Sequence, residues 1–335
     1  MGDILLTTPI IAHLSMAYPE AQIDFAVKEK FAPFIKDHPK LNRIFEKSKL
    51  VSWQKLFYLI RAHRKRYDLI VDLQSNLKSR LLSFFLKSPL KRRYKKPYLN
   101  RILLTFFKIN RYQKQKSLLG KERYPTVVEH YYRAIADLTG VPLIEPVNVM
   151  GETPTGKYKA FMRKPYVVIA PGSRWFTKRW PIEYFISLAS KILEKNTQIQ
   201  ILWLGGTDEA AIFQLIQSHP YMKRHEKRMA FSAGELPPTQ IIALAEQAQL
   251  AVTNDSGLMH LLTAGGRPLY AVFLSTVEQF GFFPFSKTAT VLQAENISCR
   301  PCNHKGLDHC PKRHFKCALD LSADRVYEAI KIHIA

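Results

Sequence analysis

Short apolar runs alternate with amphipathic stretches along the whole chain. Apolar runs of about five residues predict buried strands, and longer stretches with apolar residues three and four positions apart predict helices. The predicted strands cover 21–27, 43–46, 68–73, 166–170, 199–204 and 250–252, and the predicted helices cover 5–17, 53–66, 77–86, 126–138, 182–193 and 323–334. Because strands separated by helices are typical of βαβ units, this order predicts an α/β fold with parallel sheets.

The alternation is interrupted by a stretch rich in proline and glycine. Residues 140–163 contain three prolines and three glycines, a composition typical of a linker. A chain of 335 residues is long enough for two domains that each bury a core. We therefore predict one domain at 1–150 and a second at 151–335.

A polar turn follows the predicted strand at 250–252. It contains Asp255, Ser256 and Gly257 and leads into an apolar stretch that predicts a helix. Asp255 or Ser256 can cap that helix, Gly257 leaves room for a ligand, and the unpaired N–H groups of the first turn suit a phosphate. An ordinary capped helix gives the same local pattern, so the turn by itself predicts only a candidate anion site.

The positive charge is concentrated in the first half of the chain. The net charge is +23, and residues 1–150 hold 28 Lys and Arg against 12 Asp and Glu. Within them, residues 86–123 carry 13 basic side chains and one acidic one, interleaved with Tyr94, Tyr98, Phe106, Phe107 and Tyr112. Such a stretch suits an anionic membrane surface, a phosphorylated glycolipid or nucleic acid, although a solvated basic face has the same composition. The aromatic residues favour contact with lipid headgroups over nucleic acid. We assign this contact to five basic residues: Lys91, Arg92, Arg93, Lys95 and Lys96.

Neither a membrane span nor a secretion signal is predicted. No apolar run approaches the ~20 residues that cross a bilayer, and Asp3 and Pro9 lie where a signal peptide would be basic and apolar. We expect a cytoplasmic protein that is peripheral on the inner face of the cytoplasmic membrane. The four cysteines, Cys299, Cys302, Cys310 and Cys317, suit either a structural zinc site or reduced thiols in an ordered loop.

Three segments, in order, resemble one family. They are GDILLTTPIIAHLSMAYPEAQIDFAV at 2–27, APGSRWFTKRWPIEYF at 170–185 and VTNDSGLMHLLTAGGRPLYAVF at 252–273. They are similar to the acceptor-side segment, the opening loop of the C-terminal domain and the donor loop of the lipopolysaccharide heptosyltransferases, glycosyltransferase family 9. The resemblance implies the GT-B fold, in which two Rossmann-like doubly wound domains face each other across a cleft. It also implies that the last helix, at about 323–334, crosses back to the first domain.

The resemblance implies an inverting transfer of heptose from ADP-heptose to a lipid-linked, anionic inner-core oligosaccharide of lipopolysaccharide. Asp3 matches the catalytic base and Lys178 the lysine near the donor phosphates. The donor-binding set is Ser173, Lys178, Glu235, Asp255, Ser256, Gly257 and His260. The chain contains no Asp-x-Asp motif, so we expect no metal or other cofactor to be required. The alternative is a catalytically silent basic protein of this fold that binds anionic glycolipid or nucleic acid.

Two departures from the family pattern affect these expectations. In the family a strand precedes the segment that Gly2 and Asp3 match, and only Met1 stands before that segment here. Either the sequence starts inside the protein, or the N-terminal sheet lacks a central strand and Asp3 is poorly fixed. Leu274 stands where the family commonly has a glycine-containing turn, and we expect it to alter the approach to the sugar or phosphate.

Overall fold

The structure is a computed structural model that describes residues 2–36, 38–47, 67–140 and 151–334. Apart from Met1 and Gly2, the chain divides into two compact units, one with residues 3–99 and 114–147 and one with 100–113 and 148–335. The predicted domain boundary at 150 adjoins residues 141–150, which lie outside the described residues. The predicted helix at 53–66 also lies outside them.

Up to residue 140 the described residues form short helices and paired strands. The helices are α1 (Gly2–Leu5), α2 (Thr8–Ala17), α3 (Leu77–Phe85), α4 (Tyr98–Phe107), α5 (Val127–Arg133) and α6 (Ala136–Thr139). The strands are β1 (Asp24–Lys28), β2 (Arg43–Lys47), β3 (Leu69–Asp72), β4 (Leu90–Arg93), β5 (Gln115–Lys116) and β6 (Glu122–Arg123). β1 pairs with β2 and β3 with β4, both in parallel, and β5 pairs with β6 antiparallel.

The predicted helix at 5–17 corresponds to α2 over most of its length and overlaps α1 only at Leu5. α1 ends at Leu5, and α2 begins at Thr8 with Pro9 in its first turn. Proline has no backbone N–H to donate and a fixed φ, so it suits the start of a helix and not its interior. The Thr7 hydroxyl donates to the carbonyl of Ile4 at 2.6 Å and closes the turn between the two helices.

Residues 151–334 contain a six-stranded parallel sheet with helices. The strands are β7 (Tyr166–Ala170), β8 (Gln200–Gly205), β9 (Met229–Ala233), β10 (Leu250–Asn254), β11 (Leu269–Val272) and β12 (Ala289–Leu292). The helices are α7 (Gly156–Phe161), α8 (Ile182–Lys195), α9 (Ala210–Ser218), α10 (Pro220–Arg224), α11 (Pro238–Gln247), α12 (Gly257–Ala264), α13 (Lys316–Leu319) and α14 (Ala323–Ile330). The strand order is β12-β11-β10-β7-β8-β9.

This order places a topological switch point between β7 and β10. The chain runs outward from β7 through β8 to β9, then returns to β10 on the other side of β7 and continues to β11 and β12. In open α/β sheets, ligands bind beyond the carboxyl ends of the strands at such a point. β7 and β10 are buried along their whole length, which is why they appear in the sequence as continuous apolar runs.

The core of the second unit lies between this sheet and its helices. Val167, Trp203 and Val252 from the strands pack with Phe185 of α8 and Val326 of α14. The final helix ends at Ile330 and packs on α8. Its predicted crossing back to the first domain stays a prediction.

Candidate functional site

The loops that follow β7 and β10 are joined at the switch point. The Asn254 side chain donates to the carbonyl of Pro171 at 2.6 Å and accepts from the Trp180 N–H at 3.1 Å. The Ser173 hydroxyl donates to the carbonyl of Asp255 at 3.1 Å. Because Asn254 holds both ends of the loop from 171 to 180, the predicted residues Ser173 and Asp255 lie side by side.

Lys178 and Asp255 form the central ion pair of this site. Lys178 Nζ lies 2.7 Å from Asp255 Oδ2, and both side chains are largely buried. The Thr276 hydroxyl donates to the same oxygen at 2.6 Å. An ammonium has three N–H donors, so a lysine oriented by one carboxylate can still donate to an anion.

The third part of the site is the N-terminus of α12. Ser256 is the N-cap, and its hydroxyl accepts from the Met259 N–H at 3.4 Å. Gly257 is the first helical residue, and His260 is half-buried one turn further on, while Met259 is fully buried in packing. The sequence left the cap open between Asp255 and Ser256. The structure assigns the cap to Ser256 because Asp255 is engaged by Lys178 and Thr276.

The cysteine-containing segment, residues 299–317, contacts the loop 171–180 that carries Lys178, which we call the lysine loop. Thr177, next to Lys178, donates its N–H to the carbonyl of Leu307 at 3.0 Å, and its hydroxyl accepts from the Leu307 N–H at 2.8 Å. The rings of Phe176 and Phe315 stack with centroids 5.0 Å apart. The segment therefore fixes the loop that carries Lys178.

The four cysteines of that segment are free thiols. Cys299 Sγ lies 3.9 Å from His314 Nε2, and Cys317 is buried in the core. Burial raises the pKa of Cys302 to about 11 and that of Cys317 to about 12. No group of three or more His, Cys, Asp or Glu side chains in the described ranges is placed to hold a metal ion. The hypothesis of a structural zinc ion therefore gains no support here.

Glu235 lies apart from the ion pair, after the edge strand β9. It accepts from the Tyr158 hydroxyl at 2.6 Å and pairs with Lys157 at 3.0 Å. The Tyr158 hydroxyl and Lys157 hold the pKa of Glu235 below its ordinary value. Its carboxylate is anionic and half-exposed, which is suitable for accepting hydrogen bonds from hydroxyl groups.

Two residues of this region, Thr276 and Glu209, were not predicted from the sequence. Glu209 follows β8, and its carboxylate accepts from the Gly206 N–H at 2.8 Å. A Cβ added at Gly172 would lie 2.3 Å from Glu209 Oε1, so this carboxylate borders the loop after β7. Burial raises the pKa of Glu209. The Gly205-Gly206 turn at a strand end was the available signal for Glu209.

The expectation about Leu274 stays a prediction. Its side chain is fully buried in the core of the second unit. The residue two positions later, Thr276, is the one that reaches Asp255.

Asp3 lies in the first turn of α1 and is exposed. An exposed carboxylate near a helix N-terminus also fits a helix-stabilising role. Its predicted role as base stays a prediction.

Three of the five basic residues assigned to anion contact have partners within the protein. Lys91 Nζ donates to the carbonyl of Ser83 at 2.7 Å, Arg92 pairs with Asp137 at 2.7 Å, and Arg93 lies 3.8 Å from Asp72. Lys95 is exposed and Lys96 is half-buried.

The stretch 86–123 is divided between the two units. Residues 100–113 group with the second unit. There Lys108 Nζ donates to the carbonyls of Cys299 and Pro301. Tyr94 is buried against Tyr131, whereas Tyr98, Phe106 and Phe107 are exposed as a lipid contact requires.

Comparison with known proteins identifies the family. The model of glycosyltransferase family 9 (heptosyltransferase) matches residues 56–311. The chain belongs to glycosyltransferase family 9. It is therefore a glycosyltransferase of the heptosyltransferase family with the GT-B fold.

Relatives of this family 9 chain match it nearly end to end. It is 24% identical to lipopolysaccharide heptosyltransferase 1 of Pseudomonas aeruginosa over 97% of this chain and 90% of that protein. The structure of Escherichia coli ADP-heptose lipopolysaccharide heptosyltransferase II has a TM-score of 0.70 at 20% identity, over 99% of this chain and 95% of that one. An E. coli heptosyltransferase bound to ADP has a TM-score of 0.65 at 19% identity, over 99% of this chain and 97% of that one.

Among the helices of the described residues, none is long and apolar enough to cross a bilayer.

Proposed function

We propose that this family 9 protein transfers heptose from ADP-heptose to a phosphorylated, lipid-linked inner-core oligosaccharide with inversion at the anomeric carbon. The observation that carries the proposal is the Lys178–Asp255 pair beside the N-terminus of α12, at the switch point of a parallel sheet. A lysine and a helix N-terminus together suit a diphosphate. ADP and ADP-heptose in the names of two similar structures support the choice of donor.

In the proposed reaction, Asp3 takes the proton of the acceptor hydroxyl. That oxygen attacks the anomeric carbon from the face opposite ADP and forms the new glycosidic bond. The bond from the anomeric carbon to the diphosphate oxygen breaks, and its electron pair leaves with ADP. Lys178 and the N–H groups at the start of α12 stabilise the growing charge on the diphosphate. The donor would be lined by Ser173, Ser256, Gly257 and His260. Glu235 would accept hydrogen bonds from the nucleoside hydroxyls.

The test is a transfer assay with ADP-heptose and an inner-core acceptor, with the product anomer determined by NMR. A product of inverted configuration supports the proposal, and a retained configuration contradicts it. Calorimetry with ADP separates the enzyme from a silent glycolipid-binding protein, since the silent protein need have no nucleotide site.

We further propose that transfer needs no divalent cation. The chain has no Asp-x-Asp motif, and Lys178 with the α12 N-terminus supplies the positive charge that a metal would otherwise bring to the diphosphate. Turnover should persist in excess chelator. Loss of turnover that added magnesium restores would contradict this part of the proposal.

We propose that the enzyme works on the cytoplasmic face of the membrane, where Lys91, Arg92, Arg93, Lys95 and Lys96 contact the anionic acceptor or lipid. Exposure of Lys91, Arg93 and Lys95 supports this assignment.

A further inference from the structure

Helix α3 presents its apolar side to solvent. Leu77 and Phe84 are 73% and 75% exposed, and Leu81 and Phe85 are also exposed. The spacing 77, 81, 84 and 85 places these four side chains on one helical face. A surface helix of a globular protein normally packs such a face against the core, whereas α3 exposes it to solvent.

Polar contacts hold the helix in this orientation. The Ser79 hydroxyl donates to Asp72 Oδ2 at 3.0 Å, at the end of β3, and Asn76 caps the helix by accepting from the Ser79 N–H. At the other end, Lys91 Nζ donates to the carbonyl of Ser83, which is buried. The side with Ser79 and Ser83 is thus fixed against β3 and β4, and the apolar side has to face outward.

Basic side chains flank the exposed apolar face. Beside α3, a groove of about 320 Å³ is lined by Leu77, Arg80, Leu81, Ser83, Phe84, Lys91 and Arg93. Arg80 lies next to the apolar face on α3 itself, and Lys91 and Arg93 lie two residues apart on β4. Apolar residues bordered by Lys and Arg are typical of helices that lie in a membrane interface, with apolar side chains among the acyl chains and cations at the phosphates.

We infer that this surface, which we call the α3 face (Leu77, Arg80, Leu81, Phe84, Phe85, Lys91 and Arg93), docks on an anionic phospholipid bilayer with Leu77 and Phe84 inserted among the acyl chains. Charge complementarity decides between this occupant and a second copy of the chain. In a two-fold dimer the same patch meets itself, so Arg80, Lys91 and Arg93 would face their own like charges. Phosphate headgroups instead neutralise them. The inference rests on the proposed contact with the membrane and adds apolar insertion by α3 to it. Docking itself requires neither donor nor acceptor, so it can be tested apart from sugar transfer.

The test is co-sedimentation with vesicles of phosphatidylcholine alone or mixed with phosphatidylglycerol. The variant Leu77→Gln/Phe84→Gln keeps helix-forming residues at exposed positions. The matched control is Leu215→Gln/Tyr221→Gln, which changes a 61% exposed leucine and an exposed tyrosine in the second unit. Burial of one leucine or phenylalanine changes a partition constant by roughly 10- to 100-fold. We expect a loss of at least roughly tenfold in binding to anionic vesicles for the α3 variant and none for the control.

High salt separates apolar insertion from attraction by charge alone. At 1 M salt the Debye length falls to about 3 Å, so surface attraction is largely screened. The parent should retain part of its binding there, and the α3 variant should be released. ADP affinity should be the same in all three proteins, so failure of the proposed donor site would be recognised separately.

A second measurement does not depend on removing the apolar residues. Phe84→Trp should show emission quenched by brominated acyl chains in anionic vesicles, beyond any quenching of the parent. Three results would each overturn the inference: equal vesicle binding by the parent and the α3 variant, no added quenching at Trp in position 84, or a parent dimer that the α3 variant converts to a monomer. Equal binding of the parent to neutral vesicles would overturn the role of the flanking cations.

Discussion

The positive charge of Lys178 is paired with the carboxylate of Asp255 within the protein. The pair is largely buried, and the Thr276 hydroxyl donates to the Asp255 carboxylate. We expect Lys178→Ala to weaken ADP binding by roughly 1.5–3 kcal/mol, the range for hydrogen bonds to charged groups. It should also lower thermal stability, because Asp255 is then a buried carboxylate without its cation. Calorimetry with ADP and thermal unfolding measure the two effects.

A second substitution separates those two effects. In Lys178→Ala/Asp255→Asn the uncompensated charge is gone, so stability should recover while ADP affinity stays low. The matched control is Lys191→Ala, which removes a surface ion pair with Asp324 and should change neither quantity. ADP affinity unchanged in Lys178→Ala would return this lysine to a purely structural role.

His13 makes the first unit sensitive to acid. It is fully buried on α2, its Nε2 lies 2.7 Å from the Thr139 hydroxyl, and burial lowers its pKa. A lowered folded-state pKa means that the unfolded chain takes up the proton first as pH falls. The contribution of neutral His13 to the free energy of unfolding is therefore fully present above about pH 6.5, the ordinary pKa of histidine. It is lost as the pH falls from there toward the folded-state pKa.

The measurement is urea unfolding at pH about 7 and about 5.5, on either side of that ordinary value. The parent should lose more stability between the two than His13→Gln does, whereas the exposed-site control His309→Gln should behave as the parent. Equal pH dependence of the parent and His13→Gln would contradict the assignment.

The contact between the lysine loop and the cysteine-containing segment depends on one close approach. Gly306 has a φ of +108°, and a Cβ there would lie 2.6 Å from Trp175 Cβ. We expect Gly306→Ala to destabilise the protein by roughly 2 kcal/mol or more and to weaken ADP binding, since the clash displaces the loop that carries Lys178.

Gly266→Ala is the control for backbone strain alone. Gly266 also has a positive φ, of +68°, but no atom lies within 4 Å of an added Cβ. Gly266→Ala should lower the free energy of unfolding by about 1 kcal/mol and leave ADP binding unchanged. If the two alanine variants unfold at the same urea concentration, the close contact at Gly306 contributes nothing.

For the molecule as a whole, the unequal charge of its two halves predicts electrostatic attraction to membranes. Each Lys or Arg near an anionic bilayer contributes about 1 kcal/mol. Changing Lys91, Arg92, Arg93, Lys95 and Lys96 to Gln should reduce sedimentation with anionic vesicles at low salt and leave ADP affinity intact. Lys95→Gln/Lys96→Gln should show part of the loss without disturbing the partners of Lys91 and Arg92. Continued full sedimentation of the five-residue variant would mean that these residues are only a solvated basic face.

The pattern of the sequence by itself determined three of the six strands in the sheet of the second unit, β7, β8 and β10, and the position of the loops that follow β7 and β10. β7, β8 and β10 are central parallel strands, covered on both faces, so their apolar runs are unambiguous. The polar turn after β10 then had to lie at a carboxyl end of the sheet. The match of Lys178 and Asp255 to the family motifs predicted two residues that the structure brings within 2.7 Å of each other.

Only the tertiary structure decided which side of each element is covered. Periodicity places Leu77, Leu81 and Phe84 on one face of a helix, but it cannot tell whether that face meets a core or solvent. For α3 the outcome depends on Asp72 and Lys91, which lie on other elements and hold its polar side inward. The positions of Thr276 and Glu209 were decided in the same way, because β11 ends beside β10, and β8 beside β7, only after the sheet has assembled.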